Sequence, residues 1–182
     1  MRYRLALVCL LAVAAAPAQS VTWQTNPANL HDYALVQTDM TWPAAAAFAR
    51  ANGAHLAVVR NAAESTWLAG LLPTNTSAWI GLERVGTTWH WATREPLAYT
   101  NWAVAQGQPS GGATEIYGRM LTTTAVPGVW DDTQSAATHW FLLERSAELN
   151  RVGVGCTGSA GVPDLDSTGL PRLGQTLTMQ FT

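Results

Sequence analysis

Trp79-Ile80-Gly81-Leu82 is a short apolar run set between Thr74-Asn75-Thr76-Ser77 and Val85-Gly86-Thr87. A run this short, with turn-forming polar residues on both sides, predicts a central buried strand, because a buried helix needs roughly ten residues or more. Gly81 has no side chain, so a large neighbour can lie against it. Trp89, Trp91 and Trp102 follow closely and are the expected neighbours, each able to bury ~200 Å². The stretch therefore reads as core and not as a site.

Downstream, the pattern is β. Trp89-His90-Trp91 alternates aromatics as a strand does, and Tyr99 and Trp102 follow. Residues 103–112 are rich in Gly, Gln and Ser and predict a loop. Ile116–Leu121, Val129–Asp131 and Trp140–Glu144 predict three further strands, with Pro127-Gly128 turning between the first two. Upstream, Tyr33 and Leu35 alternate within His31–Val36 and predict a strand. Thr41 before Trp42-Pro43 predicts a helix start, with proline in the first turn. Trp42, Ala45, Ala46 and Ala49 repeat at the spacing of one buried helical face, and Gly53 is placed to end that helix. Leu56–Val59 is a short apolar run. Asn61-Ala62-Ala63-Glu64 has the form of a capping box opening a second helix. That helix is expected to turn Trp67, Leu68, Leu71 and Leu72 inward and to stop at Pro73. One strand, two helices and then many strands imply an α+β domain, its helices beside antiparallel sheet.

The remaining features bound the setting. Of 182 residues, the first 18 read as a signal peptide: Arg2 and Arg4, an apolar run from Leu5 to Ala16, and a small-residue cleavage pattern at Ala16-Pro17-Ala18. No later run is long enough to span a bilayer. Two of the 10 Lys+Arg and none of the 12 Asp+Glu precede residue 19, so the mature chain is acidic and has no basic field for nucleic acid. Of the two cysteines, only Cys156 lies in the mature part, so no intrachain disulfide forms and the domain rests on its core. The four histidines, His31, His55, His90 and His139, show no metal spacing. No nucleophile–base pair is visible, so the sequence does not predict an enzyme.

Trp42-x-x-Ala45, Phe48, Gly53, His55-Leu56, Glu64, Trp79-Ile80-Gly81-Leu82, Trp89-x-Trp91, Tyr99-x-x-Trp102, Gln108-Pro109, Gly128-x-Trp130-x-Asp132 and Phe141-x-x-Glu144 resemble, in order and spacing, the C-type lectin-like domain. The resemblance runs from about His31 to Glu144. It implies a C-type lectin-like fold: two helices flanking short antiparallel sheets, and a long irregular loop that carries calcium. The expected organisation is a signal peptide at 1–18, the lectin-like domain at 23–146, and a Gly/Pro-rich linker at 147–182 leading into a β-rich segment. That tail resembles the opening of a module found in secreted bacterial proteins. It is shorter than such a module, so further chain and packing on the domain both stay open, as does a partner for Cys156. The family's usual cysteine positions fall on Ala49, Leu143, Tyr117 and Ser135; Ala49 and Leu143 are expected to replace one bridge by an apolar contact.

Carried over residue by residue, the family's calcium site falls on Gln108, Ser110, Glu115, Asp131 and Asp132. Calcium takes six to eight oxygens, and three of these residues bring carboxylates. The resemblance further implies a cis Gln108–Pro109 peptide. Ser110 stands where an amide or carboxylate is usual and removes a strong ligand, while Asp131, in place of asparagine, adds a charge but removes a donor to sugar. Glu95-Pro96 lies on the wrong side of the pattern and reads as a hairpin turn. Trp79 and Trp130 are expected in the core; Trp67 and Trp140 can be core or platform. The implied function is a secreted, calcium-dependent module binding glycan or cell-surface carbohydrate weakly; the alternative is a calcium-independent scaffold for a protein partner.

Overall fold

The computed structural model describes residues 21–112, 114–123 and 125–146. The expected signal peptide, the tail and Cys156 lie outside the described residues. Strands β1 (Gln24–Thr25) and β2 (His31–Met40) lead into helix α1 (Trp42–Ala51), then β3 (His55–Leu56), helix α2 (Ala62–Ala69), β4 (Ser77–Val85) and β5 (Thr88–Trp91). A single 3-10 turn at Val104–Gln106 interrupts the long loop before β6 (Glu115–Leu121), β7 (Val129–Gln134) and β8 (His139–Ser146).

Trp42, Ala45, Ala46 and Ala49 are the buried face of α1, as their spacing requires. Thr41 occupies the N-cap position, yet its hydroxyl makes no capping bond, so Pro43 is the effective start signal. In α2 the Asn61 side chain accepts the Glu64 N–H at 2.9 Å. The helix closes at Ala69, ahead of Gly70, and not at Pro73. Leu68 and Leu72 are buried, whereas Trp67 and Leu71 are half-buried and pack against the core from its rim.

The strands form one sheet in the order β1-β2-β8-β4-β6-β7, with β3 paired to β8 and β5 to β4. The α+β fold with antiparallel pairing is the one expected, and one pair adds to it: β4 and β8 run parallel, Ala78 facing Trp140 and Trp79 facing Phe141. The reason is that β8 returns to pair with β2 and is inserted between β2 and β4 in the same sheet. β4 is the buried strand expected of Trp79–Leu82, with all four residues inaccessible. Gly81 has a different neighbour from the one anticipated. Its N–H bonds Ala57 O at 2.8 Å, and a Cβ there would lie 2.7 Å from Leu56 O, so main chain and not a tryptophan lies against it.

Two aromatic groups fill the core. Trp91, Tyr99 and Trp102 surround Trp130, their ring centroids 5.5, 5.7 and 5.9 Å from it in edge-on arrangements. On the other side, Ala49 and Leu143 share a buried cluster with Trp79 and Phe141, the apolar contact expected at those positions. Tyr117 stacks on Trp42 with centroids 4.4 Å apart and rings 7° from parallel. Ser135 is exposed, so Tyr117 finds its partner in the helix and not at position 135.

A charged clasp ties β2 and β8 to α2. Glu144 is wholly buried and receives His31 Nδ1 at 2.6 Å, Arg60 Nη1 at 2.7 Å and the Val58 N–H at 2.7 Å. Glu64, nearly as buried, accepts from the Tyr33 hydroxyl, from Asn29 at 3.0 Å and from Arg60 at 3.1 Å. Burial and the nearby Glu144 charge push the Tyr33 hydroxyl far above its ordinary pKa. Arg60 also forks onto Glu95, at 2.8 and 2.9 Å. Glu95 thus has a structural partner, and the Thr93–Glu95 turn before Pro96 is held by Thr93 Oγ1.

Candidate functional site

The long loop between β5 and β6 is anchored along the edge of β7. Trp130 donates to Asn101 O at 2.7 Å, and its carbonyl accepts the Ala103 N–H at 2.8 Å. Beyond the 3-10 turn, Gly107 adopts φ +79° and the Gln108–Pro109 peptide is cis, as the resemblance implied. The chain then doubles back over Asp132. Both carboxylate oxygens of Asp132 are occupied by main chain: Oδ1 accepts the Ser110 N–H and Oδ2 the Gly111 N–H, each at 2.9 Å. Gln108 Oε1 accepts the Ser110 N–H as well, at 2.8 Å, and the Ser110 hydroxyl donates to Glu115 Oε2 at 3.3 Å. Gly111 permits this closure, since a Cβ there would fall 2.1 Å from Glu115 Cβ.

Gln108 and Ser110 of the loop are therefore gathered with Glu115, the first residue of β6, and Asp132 of β7. Asp131 is not with them. Neighbouring strand residues point to opposite faces, and Asp131 faces its ladder partner Arg119. Arg119 grips Asp131 Oδ2 through Nε at 2.9 Å and Nη2 at 2.6 Å. Two arginines thus belong to this region that motif reading missed. Arg119 was legible only once the β6–β7 register was known. Arg84, at the end of β4, donates through Nη1 to Gly111 O at 2.9 Å and to Gly112 O. No motif marks it, because it binds main chain.

Arg119 Nη1 also meets His139 Nε2 at 3.0 Å, and His139 Nδ1 lies 3.1 Å from Ser77 Oγ. Arginine only donates, so Nε2 must be the acceptor and Nδ1 carries the proton toward serine. Burial, reinforced by the Arg119 charge, pulls the His139 pKa down to about 4. This Ser–His pair has no free basic nitrogen facing the hydroxyl, so it lacks the geometry of an activated nucleophile. Trp79 and Trp130 are core, as expected, and Trp67 and Trp140 flank the core as half-buried walls.

A model of the C-type lectin domain matches residues 38–142, more than half of the chain. The protein belongs to the C-type lectin domain family. The domain is 31% identical over 123 residues to C-type mannose receptor 2 of Mus musculus, a match covering 62% of this chain and 8% of that protein. The corresponding receptor of Homo sapiens is 32% identical over 99 residues, 53% of this chain and 6% of the receptor. The match thus spans a small part of the curated relatives' length. Among solved structures, a calcium-independent type II antifreeze protein superposes with TM-score 0.61 at 23% identity, covering 70% of this chain and 97% of that one. The C-type lectin CEL-I of Cucumaria echinata gives TM-score 0.59 at 25% identity, covering 67% and 93%. The carbohydrate-recognition domain of mouse scavenger receptor C-type lectin gives 0.60 at 22%, covering 73% and 98%. These establish the α+β C-type lectin fold. The family is one of binding domains. No helix among the described residues is long and apolar enough to cross a membrane.

The C-type lectin loop raises the question of calcium, and the donor set here does not fit the ion. A calcium site needs several carboxylate and carbonyl oxygens converging on one point. Among the described residues no three His, Cys, Asp or Glu side chains are grouped that way. Asp131 is neutralised by Arg119, both Asp132 oxygens face main-chain N–H groups, and Gln108 Oε1 is turned onto Ser110.

Proposed function

We propose that this C-type lectin domain is an exported, non-enzymatic binding module that recognises carbohydrate weakly and directly through loop side chains, without calcium. One observation carries the reading: Gln108, Ser110 and Glu115 place an amide, a hydroxyl and a carboxylate side by side on the outer part of the loop. Because Gln108 Oε1 is held by the Ser110 N–H, its amide nitrogen is the group left to donate, while Glu115 accepts. A sugar hydroxyl both donates and accepts, so an adjacent donor and acceptor match it. The site is shallow, and useful binding would come from several copies acting together. Export rests on the leader pattern at residues 1–18.

The test is titration of a saccharide panel into the mature chain in the presence of chelator, followed by NMR. Binding in the range of about 1 mM, weakened at least several-fold in Gln108→Ala and in Glu115→Ala, is the expected result. Absence of binding by any saccharide, even to an immobilised multivalent array, refutes it. A second reading, a scaffold for a protein partner, has its own observation. A groove of about 350 Å³ beside the loop is lined by Trp102, Ala103, Val104, Val126 and Val129, with Val104 77% and Val126 63% exposed. Loss of protein capture on Val104→Asp, with saccharide binding intact, separates the two.

A further inference from the structure

Residues 107–112 form no helix or strand, yet their main chain is bonded on both sides to strand residues. We infer that Arg84 is the positioning residue of the ligand loop, its guanidinium supplying from within the chain the positive charge that orders residues 108–112. The proposal rests on the carbohydrate reading only for its biological purpose, because loop order is measurable with no sugar present.

The geometry is that of a cation between oxygens. Arg84 Nη1 donates to two successive carbonyls, Gly111 O at 2.9 Å and Gly112 O. The amides of the same turn point the other way, the Ser110 and Gly111 N–H groups onto Asp132. The loop main chain is therefore clamped between a positive group on its carbonyl side and a negative one on its amide side. Hydrogen bonds with one charged partner are stronger than neutral ones, so each half of the clamp exceeds an ordinary turn bond. Both ends lie outside the loop, on paired strands: Arg84 belongs to β4, paired to Trp89 of β5, and Asp132 belongs to β7, paired to Gly118 of β6. Two regular strands thus hold an irregular segment from opposite sides. Gly111 lies at the centre, where a Cβ would collide with Glu115, so the clamp also sets the position of the Glu115 carboxylate beside Ser110.

The experiment is amide hydrogen exchange at Ser110 and Gly111 in the mature chain. It is read in wild type with chelator, in wild type with millimolar calcium, and in Arg84→Met and Arg84→Lys with chelator. The inference expects both amides to be protected in wild type equally with chelator and with calcium. Arg84→Met should speed their exchange by about tenfold or more while core amides of β8 are unchanged, and Arg84→Lys should restore part of the protection. Unchanged exchange at both amides in Arg84→Met overturns it. If Arg84→Met does not fold, Arg84→Gln takes its place: faster exchange at both amides upholds the inference, and unchanged exchange, or wild-type protection that appears only with calcium, overturns it. Failure of saccharide binding with protection intact counts against the carbohydrate reading and leaves the clamp standing.

Discussion

Replacing Arg60 by Met should be among the most damaging single changes near the surface of this domain. The guanidinium is 30% exposed, yet it touches two carboxylates that are not: Glu144 at 0% and Glu64 at 2% exposure. Burial opposes the Arg60 charge, but its bonds to Glu95 and the charge of Glu144 more than offset this, so its pKa stands above the ordinary value. Methionine fills a similar volume and supplies no donor. Glu144 would keep His31 and the Val58 N–H, and Glu64 would keep Tyr33 and Asn29, so neither is stripped completely. Breaking a buried pair by removing one partner costs ~3–5 kcal/mol, and the retained bonds place this case near the lower end. For a domain of this size that is a fall of about 10–15 °C in Tm. Urea unfolding at neutral pH is the assay, with the midpoint expected to fall at unchanged m. Glu144→Gln introduced into Arg60→Met should recover part of the loss, since it removes the stranded charge. Glu95→Gln, at the 37% exposed rim, should cost under about 1 kcal/mol. A loss below about 1 kcal/mol for Arg60→Met refutes the claim that this residue compensates the buried glutamates.

Other outcomes follow from the same structure. His139 has a folded pKa lowered to about 4 from an ordinary 6.5, so between these values the unfolded chain binds more protons and stability falls as pH falls. The loss should reach on the order of 2 kcal/mol by pH 4, and His139→Gln should flatten that part of a Tm-against-pH curve. Gly81→Ala puts a Cβ 2.7 Å from Leu56 O and should destabilise by ~3 kcal/mol or more in chemical unfolding, because the obstacle is main chain. Asp132→Ala removes the acceptor of two loop amides and should cost ~1–3 kcal/mol, with Tm unaffected by calcium before or after the change. A calcium-dependent rise in the wild-type Tm, abolished in Asp132→Ala, would instead establish a metal site.

The parts of the fold that were legible share a cause. The buried face of α1, the Asn61 cap and the β4 core depend on spacing and on residue type within a few positions, and both are written in the chain. What was not legible depends on residues far apart. That β8 lies parallel to β4 follows from its return to β2, a pairing of residues more than a hundred positions apart. Gly81 invited a tryptophan and received the Leu56–Ala57 main chain, since nothing local says which neighbour arrives. At the site, Gln108, Ser110, Glu115 and Asp132 came together through the contacts of Ser110 and Gly111. Asp131 did not, because alternation along β7 and the facing Arg119 decide its direction. Arg84 carries no motif at all: a side chain that serves main-chain carbonyls leaves no partner residue to be read.

The place of β8 has a consequence for how the domain is made. It is the last strand of the described chain and sits between β2 and β4. Until residues 139–146 have been synthesised, the sheet has a gap at its centre, and Glu144 cannot reach Arg60 or His31. Residues 31–138 alone therefore leave β2 and β4 without the strand that pairs with both. Closing the described sheet is left to 139–146, a single segment that joins β2 to β4 and brings Glu144 to Arg60 and His31.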